Sequence, residues 1–315
     1  MMQVNTETVG RDTGRIIQAI SLMMVASTVV AAVNGEFYAV PAFVVAAVVM
    51  AGIGTGLARR YRDAEPPEKR EAMVTAATAW FVIGVLGSLP FLLIAWTIQI
   101  DPFPVWMNTP AEISETTAVF LNPLDSVFES MSGFTGTGLT MAAAEQDLPR
   151  SLHWWRSFIE WIGGVGVIVL TVAILRRSGG GSGSYTLYES EARSEKIHPS
   201  IVTTVQEIWK IFVGLTLGSI VLLLLTGMPP WDAINHGMTG IATGGFAVHE
   251  NSIGHYSPLS QYATVPIMVA GSIAFPVHYL IFKGELRNLY RDLQTRWVFI
   301  WFTAGSIALT GILWS

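Results

Sequence analysis

Two short stretches of glycine, threonine and serine carry the residues whose types and spacing suit ion chemistry. Ser132-Gly133-Phe134-Thr135-Gly136-Thr137-Gly138-Leu139 and Thr239-Gly240-Ile241-Ala242-Thr243-Gly244-Gly245-Phe246 align without a gap, 107 positions apart. Glycine permits backbone conformations that turn successive carbonyls toward one axis, and rings of such oxygens replace the water shell of an alkali cation. Upstream of each stretch stands Pro-x-Asp, Pro123 with Asp125 and Pro230 with Asp232, with Met131 and Met238 also in register. Proline fits the first turn of a helix, and a carboxylate there meets the free amides. A short helix begun this way aims its negative C-terminal end at the Gly/Thr segment, which favours a cation. Small residues also serve close helix packing, yet two copies in register, each behind the same helix start, favour coordination.

These segments need elements to hold them, and composition says in what solvent. Of 315 residues 51% are hydrophobic and 13% charged, against about 25% charged in soluble domains, so a membrane is the expected surroundings. Low-charge runs fall at about Ile16–Val33, Phe37–Ala58, Ala72–Ile100, Leu152–Leu175, Ile201–Thr226, Tyr262–Phe282 and Trp297–Trp314, each near the ~20 residues a spanning helix needs. The first outruns a signal-peptide core and lacks a cleavage site before the next run, so it reads as a retained helix. Pro123–Phe134 and Pro230–Ile241 are too short to cross, since twelve residues of helix reach only about 18 Å of a ~30 Å core. Each must dip in and return, and irregular backbone at that depth has to be buried in protein or line a watery cavity.

The expected organisation is an all-α membrane protein: a helix pair over 1-66, a span, pore loop and span over 67-177, and a cytoplasmic linker over 178-198. A second such unit follows over 199-284, and the first span of a third over 285-315. Fifteen of the 18 basic residues lie in four connecting segments: Arg11 and Arg15; Arg59, Arg60, Arg62, Lys69 and Arg70; Arg176, Arg177, Arg193 and Lys196; Lys283, Arg287, Arg291 and Arg296. The alternate segments carry Glu36, Asp101, Glu112, Glu115, Glu145, Asp147 and Glu250. Basic residues stay cytoplasmic, which predicts a cytoplasmic N-terminus and a multi-pass protein of the cell membrane.

Other functions find little support. The absence of cysteine removes thiolate metal sites, disulfides and cysteine nucleophiles. A net charge of −5 supplies no basic surface for nucleic acid. His249-Glu250 with His255 lacks zinc-protease spacing, and no set of acids and bases converges on catalysis, so no enzyme is expected. Gly52-x-Gly54-x-Gly56 sits at the end of a span and reads as helix packing, and Ser178–Ser184 as a flexible linker that alternatively contacts a cytosolic partner. Glu129 and Glu160 stand in apolar surroundings, where a lone charge costs about 2.5–3.5 kcal/mol. Arg156, one turn before Glu160, is the expected partner of Glu160. Glu129, matched by His236 in the second dip, is expected to bond within the scaffold or to buttress the ion segment.

The repeat, the Ser-Gly-Phe-Thr-x-Thr-Gly segment, the run from Trp155-Arg156-Ser157 to Trp161-Ile162-Gly163-Gly164-Val165-Gly166, and Ala242-Thr243-Gly244-Gly245-Phe246 together resemble the Trk/Ktr/HKT superfamily of potassium transporters, nearest to its TrkH-type subunits. The likeness covers nearly the whole chain, including Leu187 to Glu191 and Pro199. It implies four span–pore–span units around one pore, with filter strands here at Thr135, Gly136, Thr137 and Gly138 and at Ala242, Thr243, Gly244 and Gly245. Potassium would be held by the carbonyls of Thr137, Gly138, Gly244 and Gly245, with sodium a further transported ion. It also implies a homodimer on a cytosolic nucleotide-binding ring of TrkA type. The chain holds two complete units and one helix of a third, so the remaining filter strands are expected elsewhere: it is a fragment, or a separate chain supplies the rest. A half-protein that inserts without conducting is the alternative reading.

Overall fold

The computed structural model describes residues 4–166 and 201–314. Among the described residues the regular elements are all helical. Helix α1 (Thr6–Val33) starts at Asn5, whose side chain accepts from the amides of Glu7 and Thr8. A tight turn returns the chain as α2 (Val40–Arg60), with Pro41 in its first turn. The pair packs backbone against backbone. A Cβ on Gly14 would lie 2.8 Å from the Gly54 carbonyl oxygen, and one on Gly54 2.7 Å from that of Gly14, whereas Gly52 and Gly56 have nothing within 4 Å. The glycine triplet thus serves helix packing, through its middle member.

Helices α3 (Lys69–Leu86) and α4 (Leu89–Ile100) form one apolar stretch long enough to span. Pro90 has no amide for Leu86, so the ladder breaks at Gly87 and Ser88. The first dip is α5 (Pro123–Thr135), capped by Asn122, which accepts from the Leu124 amide. Helix α6 (Arg150–Val165) follows, and its first amides are met by Glu36 from the α1–α2 turn: Arg150 N and Ser151 N each donate to that carboxylate at 2.8 Å. The end of the run expected to Leu175, the Ser178–Ser184 stretch and Leu187 to Glu191 lie outside the described residues.

The second unit repeats the order. Helix α7 (Ile201–Leu225) leads to the dip α8 (Pro230–Ile241) and then to α9 (Pro258–Ser272). The single span expected over Tyr262–Phe282 is instead broken: α9 and α10 (Phe275–Phe282) meet at 103°. Ile273 and Ala274 are extended, and Pro276, in the first turn of α10, would clash with the Ser272 carbonyl in a continuous helix. The final helix, α11 (Leu293–Trp314), is exposed along most of its length. Among the described residues, five helical stretches, or six with the bent pair, have the length and apolarity to cross a bilayer.

Two cores hold the units. One gathers Phe43, Phe91, Phe120, Phe134 and Trp155 among α1 to α6; the other gathers Phe212, Ile241 and Ile267 of α7 to α9 with Ala72 and Ala76 of α3 and Val165 of α6. Trp161 of α6 and Trp209 of α7 lie against both. Each fully buried large side chain contributes about 1.5–3 kcal/mol in water, but among lipid the close fit of small residues matters more.

Candidate functional site

Helices α5 and α8 end in the same way. Gly136 N donates to the Gly133 carbonyl at 3.0 Å and Thr137 N to that of Ser132 at 2.9 Å. In the second unit Thr243 N donates to Gly240 at 3.2 Å and Gly244 N to Thr239 at 3.0 Å. The 107-residue register therefore holds bond for bond. Both turns need a left-handed residue, Gly136 at φ 65° and Thr243 at φ 53°, because such a cap closes the last carbonyls of a helix. The chain then passes Gly138 and Gly245, which abut: a Cβ on Gly138, itself left-handed at φ 73°, would stand 2.6 Å from the Gly245 Cα. No side chain fits between the two strands there.

Helix α6 lies between the two helix ends because it carries glycine where they touch it. A Cβ on Gly163 would strike the Phe134 carbonyl oxygen, and one on Gly164 would come 2.8 Å from the Ala242 Cα. That contact accounts for the Trp-Ile-Gly-Gly run, whose glycines admit one backbone on each side.

The polar groups behind the strands form one network. Glu129 of α5 is fully buried, accepting from Thr140 Oγ1 at 2.8 Å, from Met141 N at 2.8 Å and from Arg156 Nε at 2.6 Å. Arg156, 1% exposed, also donates from Nη1 to the Ala247 carbonyl and from Nη2 to Thr140 Oγ1, both at 3.0 Å, and lies 4.2 Å over the Phe246 ring. The expected Arg156–Glu160 pairing is thus replaced by Arg156–Glu129. The Glu160 carboxylate instead turns to the second strand, where Gly245 N donates to it at 2.7 Å and Phe246 N at 3.2 Å. Gly244 must lack a side chain, since a Cβ there would overlap that carboxylate. His236, the positional match of Glu129, meets the Tyr256 hydroxyl at 3.2 Å and braces no strand. Burial, with Asp232 adding, pushes the Tyr256 hydroxyl above its usual range and keeps it protonated.

Gly138 and Gly245 are thus brought into contact, with Thr137 and Gly244 beside them in the chain and Thr135 and Gly136, and Ala242 and Thr243, at the turns that precede them. A cavity of about 310 Å³ lies beside the second strand, its lining including Thr243, Gly244, Gly245, Met268 and Phe302. Sequence reasoning missed Thr140, the Met141 amide and the Ala247 carbonyl. The one available signal was the repeat itself, carried two residues past its glycines, where Thr140 and Ala247 coincide. The His249 and His255 rings stack with centroids 3.7 Å apart, and no metal-binding group of His, Asp and Glu occurs among the described residues.

Residues 40–313 match the family model described as TrkH, cation transport protein. The chain belongs to this family. It is 36% identical over 229 residues to an uncharacterised cation transporter of Methanocaldococcus jannaschii, covering 72% of this chain and 42% of that protein. It is 31% identical over 281 residues to the Trk system potassium uptake protein TrkH of Halomonas elongata, covering 87% and 53%. The crystal structure of the potassium transporter TrkH from Vibrio parahaemolyticus superposes with a TM-score of 0.72 at 27% identity, over 95% of this chain and 57% of that one. The chain therefore spans about half the length of the curated relatives it matches. With its apolar helices and this likeness it is a multi-pass, all-α membrane protein of the TrkH family.

Proposed function

We propose that this chain supplies two of the strands that line a potassium pathway across the cell membrane, as part of a Trk-type uptake system. The observation that carries the reading is the pair of left-handed turns at Gly136 and Thr243, in register, each delivering a glycine strand to one place and each backed by a buried carboxylate. Relatives named as potassium uptake proteins support the choice of ion. Thr137, Gly138, Gly244 and Gly245 present their carbonyls to the dehydrated ion, and the electrochemical gradient supplies the work. No proton transfer or covalent step is needed. Gly138 and Gly245 touch, so these two strands enclose no channel by themselves and the pathway forms between them and further strands.

The N-terminus lies in the cytoplasm, on the basic side of the helices. Further partners in the same reading are a second copy of the chain and a cytosolic nucleotide-binding subunit of TrkA type. The test is flux into liposomes from the assembly that contains this chain, with potassium and sodium measured in one assay. Potassium uptake is expected, and Gly138→Ser should lower the potassium-to-sodium permeability ratio, since any side chain there meets the Gly245 backbone. Gly136→Ser, facing open space where the second unit carries threonine, should change it less. No potassium flux, or equal effects at the two positions, would overturn the assignment.

A further inference from the structure

The network behind the strands contains one residue that touches both of them. Among the described residues, no backbone–backbone hydrogen bond joins the segment after Gly138 to the segment after Gly245. Arg156 joins them instead, at positions that coincide in the repeat: Nη2 donates to Thr140 Oγ1 and Nη1 to the Ala247 carbonyl. Its Nε is anchored on Glu129, which in turn takes the Met141 amide, and its plane lies over Phe246. One rigid fork thus holds two strands at fixed separation, and guanidinium suits the task because its donors point in set directions from a single plane. A lysine ammonium, a point charge on a flexible stem, reaches Glu129 without fixing the other two directions.

We infer that Arg156 is a positioning residue that sets the separation of the two strands and through it the discrimination between potassium and sodium. The inference rests on the pore reading above and adds to it which side chain holds the geometry. Carbonyl spacing and field strength are both candidates for the physical origin of such selectivity, and both change when the strands drift apart. Glu160 fixes the second strand to α6 and Glu129 the first to α5. Only Arg156, among these three, bonds to both strands.

Two variants separate this role from mere support of the fold. Arg156→Lys keeps the charge opposite Glu129. Glu129→Gln combined with Arg156→Gln removes both charges together, so that no ion is stranded in the interior. Spacing is read by spin labels on cysteines introduced at Leu139 and Glu250, both exposed, in a chain with no native cysteine. Selectivity is read by potassium and sodium flux from the complete assembly in liposomes. The expected result is a broadened label-to-label distribution in both variants and a permeability ratio that falls about tenfold in the double variant. Arg156→Lys should lose about threefold, at unchanged membrane abundance. An unchanged distance distribution overturns the positioning role, and a broadened one with an unchanged ratio overturns its link to selectivity. Wild-type assembly that passes no potassium overturns the pore reading instead, while the label distances still decide whether Arg156 spaces the strands.

Discussion

The first and second loops share the turn that leaves their helices, diverge at Gly138, which is left-handed where Gly245 is not, and differ in what stands behind them. Both leave a Pro-initiated helix through a left-handed residue and the same pair of backbone bonds. The first strand is braced from within its own unit, by Glu129 of α5. The second is braced from the other unit, by Glu160 of α6, because its own helix offers His236, which is occupied with Tyr256. At the left-handed turn the first unit uses glycine and the second threonine; one residue on, the choice reverses to Thr137 and Gly244. A repeated backbone turn therefore does not require repeated supports. The carboxylate is needed at each strand, but either neighbouring helix can deliver it.

The sharpest way to break the comparison is to remove one brace. Glu129→Ala strands the buried Arg156 guanidinium, and loss of about 3–5 kcal/mol is expected, read as thermal unfolding in detergent. If the cost is below about 1 kcal/mol, the unit-internal brace carries no weight. Next comes Gly244→Ala, whose methyl would displace the Glu160 carboxylate, at an expected cost of about 1–3 kcal/mol for overpacking. Thr137→Ala at the matching position should stay within ~1 kcal/mol, since it keeps a Cβ already accommodated. Equal costs would mean that the Glu160 brace is not what excludes a side chain from the second strand.

A smaller contrast tests the turns. Gly136→Ala imposes a Cβ on a left-handed residue and should cost about 1–2 kcal/mol, although the space around it is open. Thr243→Gly relieves the same strain and should stabilise or leave stability unchanged, because the freer unfolded chain takes back part of the gain. The same sign at both positions would break the register. The smallest effect is expected at Glu36, whose carboxylate meets two amides at the start of α6. Glu36→Ala should cost about 1 kcal/mol, the usual worth of a helix cap, seen as an equally small drop in unfolding temperature.

Much of this fold was readable from spacing. The two dips start at Pro123 and Pro230 because proline suits the first turn and little else in a helix, and apolar length set the spans. The 103° break after Ser272 was locally encoded as well, in Pro276, but a hydropathy run averages over a proline and cannot register a bend. Span length and the internal repeat are properties of consecutive residues, so the chain alone determined them. Which carboxylate Arg156 pairs with was decided only by tertiary structure. Helical spacing places Glu160 one turn away, yet the strand amides of Gly245 and Phe246 claim that carboxylate, and packing of α5 on α6 brings Glu129, 27 positions distant in the chain, within 2.6 Å. A buried charge takes whichever partner leaves the fewest polar groups unsatisfied. That balance is struck across helices, where sequence separation carries no information.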